Sequence, residues 1–416
     1  MYMYIAIDYC MENKRSRRNF MKTNKTKLLT KVFAFTMAIG LVFATGCSKG
    51  GKSESQLHED FINEIGGVSE TYVGAVSETS YATAQEAATA YVAEEIVGSA
   101  DATVINAESK GELTSEQVTA LQLPADIQEG MQSVEKLEVE YSVAENSYMD
   151  TLNTNKTVTV YVIKYANDFK YYSPMPVTGE TITKSYYDSV FDYEKYKNCT
   201  YTWESIVSYD MSVPGYGSME MELKMNQLIK YADGKVYLEQ TMSVEGDELI
   251  TEEVDFMNDS LYVYLETIED PETGVEEIVC YVKTDVNGTE WNPTNLSTIG
   301  FYDLDELTPF YDQYLDYTYF TKTNYGFEIS GERMEAYLEE TFEMANMLEQ
   351  FQNMLDIDML VKYYVSGGTL SGMRQDATIN AKISEGGMTL KMEATAYAIG
   401  TVTNYGTTVV EKPFTE

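Results

Sequence analysis

The sequence predicts an α+β protein: an antiparallel half-barrel sheet with helices over its concave face, preceded by a small α+β domain. Three observations carry this. From about residue 199 onward, long runs of alternating apolar and polar residues are separated by turn residues such as Pro214-Gly215, Glu245-Gly246-Asp247 and Pro271-Glu272-Thr273-Gly274, the pattern of a meander. Two stretches, 303–316 and 332–359, break that period with apolar residues at helical steps. Ahead of both, a helical pattern at 84–97 stands beside three strand-like segments.

The stretch from Met21 begins with Lys22, Lys25, Lys27 and Lys31, followed by an apolar run from Val32 to Ala44 and then Thr45-Gly46-Cys47. These are the charged, apolar and small-residue parts of a secretory signal. The apolar run is too short to span a bilayer, which takes ~20 residues. Residues 1–46 are therefore expected to be a removable signal, with Met21 its true start or 1–20 an extended leader. Cys47, directly after small residues, resembles the lipidated cysteine of the bacterial lipobox. That resemblance implies a mature chain beginning at Cys47, anchored by lipid to the extracytoplasmic face of the cell membrane. More than one acyl chain is needed for durable attachment, since a single one binds only marginally. Residues 47–82, rich in Ser, Gly, Glu and Thr, read as a flexible tether, with Leu57, Phe61, Ile62 and Ile65 able to form one short helix.

Composition narrows the classes of function. The formal charge is −38, and without residues 1–46, which carry 8 basic and 2 acidic residues, it becomes −44. Such a surface repels phosphates and disfavours nucleic acid. The single histidine, His58, lies in the tether and removes most triads and zinc sites. Cys199 and Cys280 can pair outside the cytoplasm or serve as small core residues on apolar strand faces.

Taken in order, Thr83-Ala84-Gln85-Glu86 begins the helix at 84–97 with a capping box. Short helical pieces follow at 115–122 and 125–132, then strands at 134–144, 157–166 and 168–177. The middle strand has large side chains on both faces and is expected to pack on both. This element order resembles cystatin-like and NTF2-like small domains, and Pro174, Pro176 and Gly179 close the domain 83–178. The second domain, 179–416, begins with short helices at 183–197. Strands follow at 199–211, 217–231, 235–245, 249–257, 260–268 and 276–284, then the helices at 303–316 and 332–359. Strands at 361–367, 376–385, 387–399 and 407–411 complete it. Tyr196-Lys197-Asn198-Cys199-Thr200, Asp233-Gly234-Lys235-Val236-Tyr237, Asp259-Ser260-Leu261-Tyr262-Val263-Tyr264 and Asn404-Tyr405-Gly406 give it a resemblance to the LolA-like half-barrel lipoproteins. That resemblance, over about 180–413, implies a fold that binds lipid through cavity shape and transfers no site residue.

Met219, Met221, Leu223 and Met225 alternate with Glu220, Glu222, Lys224 and Asn226, so a strand here has one thioether face and one charged face. Met388, Leu390, Met392 and Ala394 repeat the arrangement, and Val236, Leu238, Met242 and Val244 add a third row. Methionine both fills cores and lines surfaces that accept varied apolar partners. The face is either a core filled by the helices or a pocket for an acyl chain or another hydrophobic small molecule. The expected function is non-enzymatic binding of such a ligand with no cofactor, the alternative being an envelope interaction or scaffold protein. Catalytic motifs are sparse. Ser133-Val134-Glu135-Lys136 is a bare SxxK without partner motifs. Asp303 with Asp305 and Asp356 with Asp358 read as helix-flanking acids, and Asp285 to Glu290 as a solvated turn. Trp203 and Trp291 are candidates for stacking on sugars.

Overall fold

The computed structural model describes residues 71–98, 102–147, 150–213, 217–232, 234–247, 260–269, 276–284, 290–295, 316–344, 355–385 and 388–414. The expected signal, Cys47, His58, the strand at 249–257, residues 303–315 of the first helix and residues 345–354 of the second lie outside them. The described chain is sheet-rich and antiparallel throughout, with few helices.

A five-stranded sheet has the order β1-β5-β4-β3-β2, formed by β1 (Ala75–Val76), β2 (Ala102–Glu112), β3 (Ser133–Ser147), β4 (Asp150–Lys164) and β5 (Phe169–Ser173). Helix α1 (Ala84–Tyr91) starts where the Thr83 hydroxyl accepts from the Glu86 amide, and it buries Ala84, Ala87, Ala88 and Tyr91. The alanines let its axis lie close to the sheet, over Leu137, Val139, Val160 and Val162. On the opposite face, α2 (Ser115–Ala120) and α3 (Ala125–Gln128) accompany Leu123, Val134, Ile163 and Tyr172. Val162 and Ile163 thus enter different cores, and β4 packs on both faces.

The larger sheet has eleven strands in the order β11-β10-β9-β8-β7-β6-β16-β15-β14-β13-β12 and does not close. Its first meander is β6 (Cys199–Val213), β7 (Gly217–Ala232), β8 (Lys235–Gly246), β9 (Ser260–Glu269), β10 (Glu276–Thr284) and β11 (Asn292–Thr294). The second is β12 (Thr321–Lys322), β13 (Gly326–Ile329), β14 (Leu355–Ser366), β15 (Thr369–Glu385) and β16 (Met388–Thr403). The two join where β16 pairs with β6. One face carries the main core, to which α4 (Lys184–Val190) contributes Tyr186, Tyr187 and Val190 and α5 (Gly331–Met344) contributes Met334 and Leu338. Tyr187, Phe191, Phe320, Phe327 and Tyr363 stack there in mutual contact.

A buried carboxylate joins the two sheets. Glu95, in the single π-helical turn Val92–Ile96 after α1, accepts from the Ser185 amide (2.8 Å) and hydroxyl (2.7 Å) at the start of α4. It also accepts from Ser173 Oγ (3.2 Å) and Tyr171 Oη (3.3 Å) on β5.

The terminal segment 404–414 turns through Asn404 and Gly406, both at positive φ, and crosses the other face of the large sheet as a strap. Asn198 pins it at both ends of one peptide pair, accepting from the Thr408 amide (2.8 Å) and donating to its carbonyl (3.2 Å). Lys412 then pairs with Glu266 (3.1 Å), and the Phe414 ring rests against Tyr281 (4.7 Å between centroids) and Trp291 (5.4 Å).

Four expectations are corrected. Residues 355–359 form strand β14 rather than the end of a helix, so Asp356 and Asp358 are strand residues facing Asn380 and Thr378. Residues 407–411 make no strand; the Asn198 side chain, just before β6, and the Thr200 hydroxyl on β6 hold Thr408 in place of a ladder. The tether does not extend through 71–82: β1 pairs with β5, and Tyr72 packs edge-on against Tyr186 and donates to the Ser173 carbonyl. The possible Cys199–Cys280 disulfide does not form. Both thiols are free and buried, and register places them in one row, Cys199–Tyr231–Val236–Leu265–Cys280, across five strands. Four spacings of ~4.8 Å separate them by about 19 Å, whereas a disulfide requires Cα atoms within about 7 Å.

Candidate functional site

The strand register assembles the methionine face from consecutive cross-strand rows. Ala381, Met392, Met211 and Met219 are Cα partners in succession across β15, β16, β6 and β7. The next row is Ile379, Ala394, Tyr209 and Met221. After it come Ala377, Ala396, Val207, Leu223 and Val244, and then Ala398, Ser205, Met225 and Met242. Paired residues share a face of the sheet, so these side chains point the same way.

Met219, Met221, Leu223, Met225, Leu238 and Met392 are all 3–7 % exposed and belong to one core. Met242 is half-buried and packs against that core. Met388 and Leu390 stand on β16 opposite Glu385 and Ile383, and their side chains lie outside the described residues. The expected alternation thus holds along β7, where Glu220 and Asn226 are exposed and Lys224 bridges Glu222 (2.8 Å) and Glu245 (3.4 Å). Sequence reasoning missed Met211 and Tyr209, although the same alternation in Val207, Tyr209 and Met211 identifies them. Among the described covering helices, α4 packs on β15 and α5 on β14, toward the aromatic cluster.

The face changes character along its length. Among the described residues its methionine end carries the hydroxyl of Tyr209, which is buried and has no hydrogen-bond partner, and two rows away that of Ser205; burial pushes the Tyr209 phenol's pKa up. Further along, Gln227 and Gln240 are buried side by side, Nε2 of Gln227 donating to Oε1 of Gln240 (3.4 Å). Trp203 lies in that same row over Gly400, where a Cβ would come within 2.8 Å of the indole, and it is largely buried in the core.

Of the catalytic candidates, Asp303 and Asp305 lie outside the described residues, and Asp356 and Asp358 stand two apart on β14. Ser133 and Lys136 sit three apart on β3, and a strand sends such positions to opposite faces. Among the described residues no three His, Cys, Asp or Glu side chains form a cluster suited to a metal ion. No helix among them is long and apolar enough to cross a membrane.

No family model matches the chain, and neither curated proteins nor solved structures give a match.

Proposed function

We propose that this chain is a lipid-anchored extracytoplasmic binding protein that holds an acyl chain or similar hydrophobic ligand against the methionine-rich face of its large sheet. In this reading residues 1–46 are a signal, Cys47 is the lipid attachment point, and the sheet is a LolA-like half-barrel behind a small α+β module. The observation that carries it is the run of thioether and small aliphatic side chains on β7, β6, β16 and β15, continuous through four rows. Each methylene of a bound chain moved out of water contributes ~0.8 kcal/mol, so a furrow that holds even half an acyl chain binds usefully.

Solvent extraction of the protein purified from membranes, followed by mass spectrometry, tests the proposal. Lipid in near-stoichiometric yield, beyond the acyl groups attached at Cys47, supports it; an empty protein that takes up no added lipid overturns it. The low exposure of the methionines favours the competing reading of an envelope scaffold whose interior is only core. Crosslinking in intact cells separates the two, a defined protein or glycan adduct pointing to the scaffold and a protein-free lipid adduct to the carrier.

A further inference from the structure

We infer that Tyr209 is the specificity-determining residue of this face, and that the ligand it selects is an apolar chain bearing a neutral oxygen acceptor, such as an ester or carboxylic acid carbonyl. The inference rests on the reading of the face as a ligand site and adds what that site recognises.

The Tyr209 hydroxyl is buried and has no partner among the described residues. Its Cα partners across the sheet are Met221 on β7 and Ala394 on β16, and its neighbours along the same face of β6 are Val207 and Met211. None of these side chains offers an oxygen or nitrogen; a thioether sulfur is a weak acceptor at best. The surrounding backbone groups are committed to the strand ladders. Buried polar atoms in native proteins are nearly always hydrogen-bonded, so a donor left open in an apolar wall marks a missing partner.

Water fits poorly there. An ordered interior water needs two to four polar contacts, and the described neighbours of Tyr209 add none to its own hydroxyl. A carbonyl within a hydrocarbon ligand needs one contact, and its own chain fills the apolar surroundings. A phenol also donates better than it accepts, which favours an acceptor on the ligand. A phenylalanine would pack the same wall without an open donor, so ring packing alone gives the hydroxyl no role.

The experiment compares methyl palmitate with hexadecane, an ester and an alkane of similar chain length, for binding to the purified protein and to Tyr209→Phe. The expected result is that the ester binds the unaltered protein about tenfold more tightly than the alkane, that Tyr209→Phe removes this preference, and that alkane affinity is unchanged. Thermal stability of the ligand-free variant is expected to equal or exceed that of the parent, which shows that the variant folds. If Tyr209→Phe leaves the ester preference intact, or the parent has none, the assignment of Tyr209 is overturned while the carrier reading stands. If neither ligand binds the parent, the carrier reading fails and this inference fails with it.

Discussion

Arg374 shows how single residues divide the labour on this sheet. It lies buried on the face opposite the methionines, with Nε 2.8 Å and Nη2 2.9 Å from the carboxylate of Asp376 and its guanidinium over the Tyr397 ring at 5.3 Å. Nη1 has no acceptor, and among the described residues Asp376 is the carboxylate paired with this buried guanidinium. Asp376→Asn is therefore expected to lower unfolding free energy by about 3 kcal/mol, whereas the double change Arg374→Met with Asp376→Leu recovers most of that loss in chemical denaturation. The cysteines make a second residue-scale prediction. Burial pushes both thiols up to about 12, so neither carries appreciable thiolate near neutral pH. Iodoacetamide should label Cys199 and Cys280 only after unfolding, without prior reduction. Their sequence context, two cysteines on apolar strand faces, was legible; which strands intervene was not, because strand order is a long-range property.

Among the elements, β7, β8 and β16 were legible because one face is buried and the other wet, which leaves a strict two-residue period. Strand β2 was missed since almost all of it is exposed on both faces, and no period survives without a buried side. At 355–359 the apolar residues Leu355, Ile357 and Met359 suit either a helix end or a strand, and pairing with β15 decides for the strand. The methionine face was legible as three rows, but its central tyrosine emerges only from the alignment of β6 with β7 and β16. The strap of residues 404–414 yields a prediction in pH. Burial works against the Glu266 carboxylate, but the Tyr264 hydroxyl (2.8 Å) and Lys412 outweigh it and hold its pKa below the ordinary glutamate value. The resulting stabilisation is present above the unfolded-state pKa and is lost as pH falls through the lowered folded value. Trp291 emission should therefore stay constant through mild acid and change only below about pH 4. Phe414→Ala should produce that change at neutral pH.

For the molecule as a whole, Glu95 is a joint, beside the contacts of Tyr72 with Tyr186 and of Tyr317 with the Glu94 carbonyl. Its side chain receives hydrogen bonds from β5 and from the start of α4, so the five-stranded and eleven-stranded sheets share one buried carboxyl group. Glu95→Ala should cost about 2–3 kcal/mol and split a single calorimetric transition into two, with faster proteolysis between residues 174 and 182; Glu95→Gln, which keeps one acceptor oxygen, should do less. A single transition in Glu95→Ala would show that the sheets are held together elsewhere. The large sheet, for its part, ends in very short strands: β11 has three residues with Pro293 at their centre, and β12 has two. A proline offers no amide to a neighbour, and two residues give little backbone to copy. Crowded copies would thus find little backbone to copy at the described margins of this sheet, so an unclosed sheet of this width is guarded against edge-to-edge growth by how short its outermost strands are.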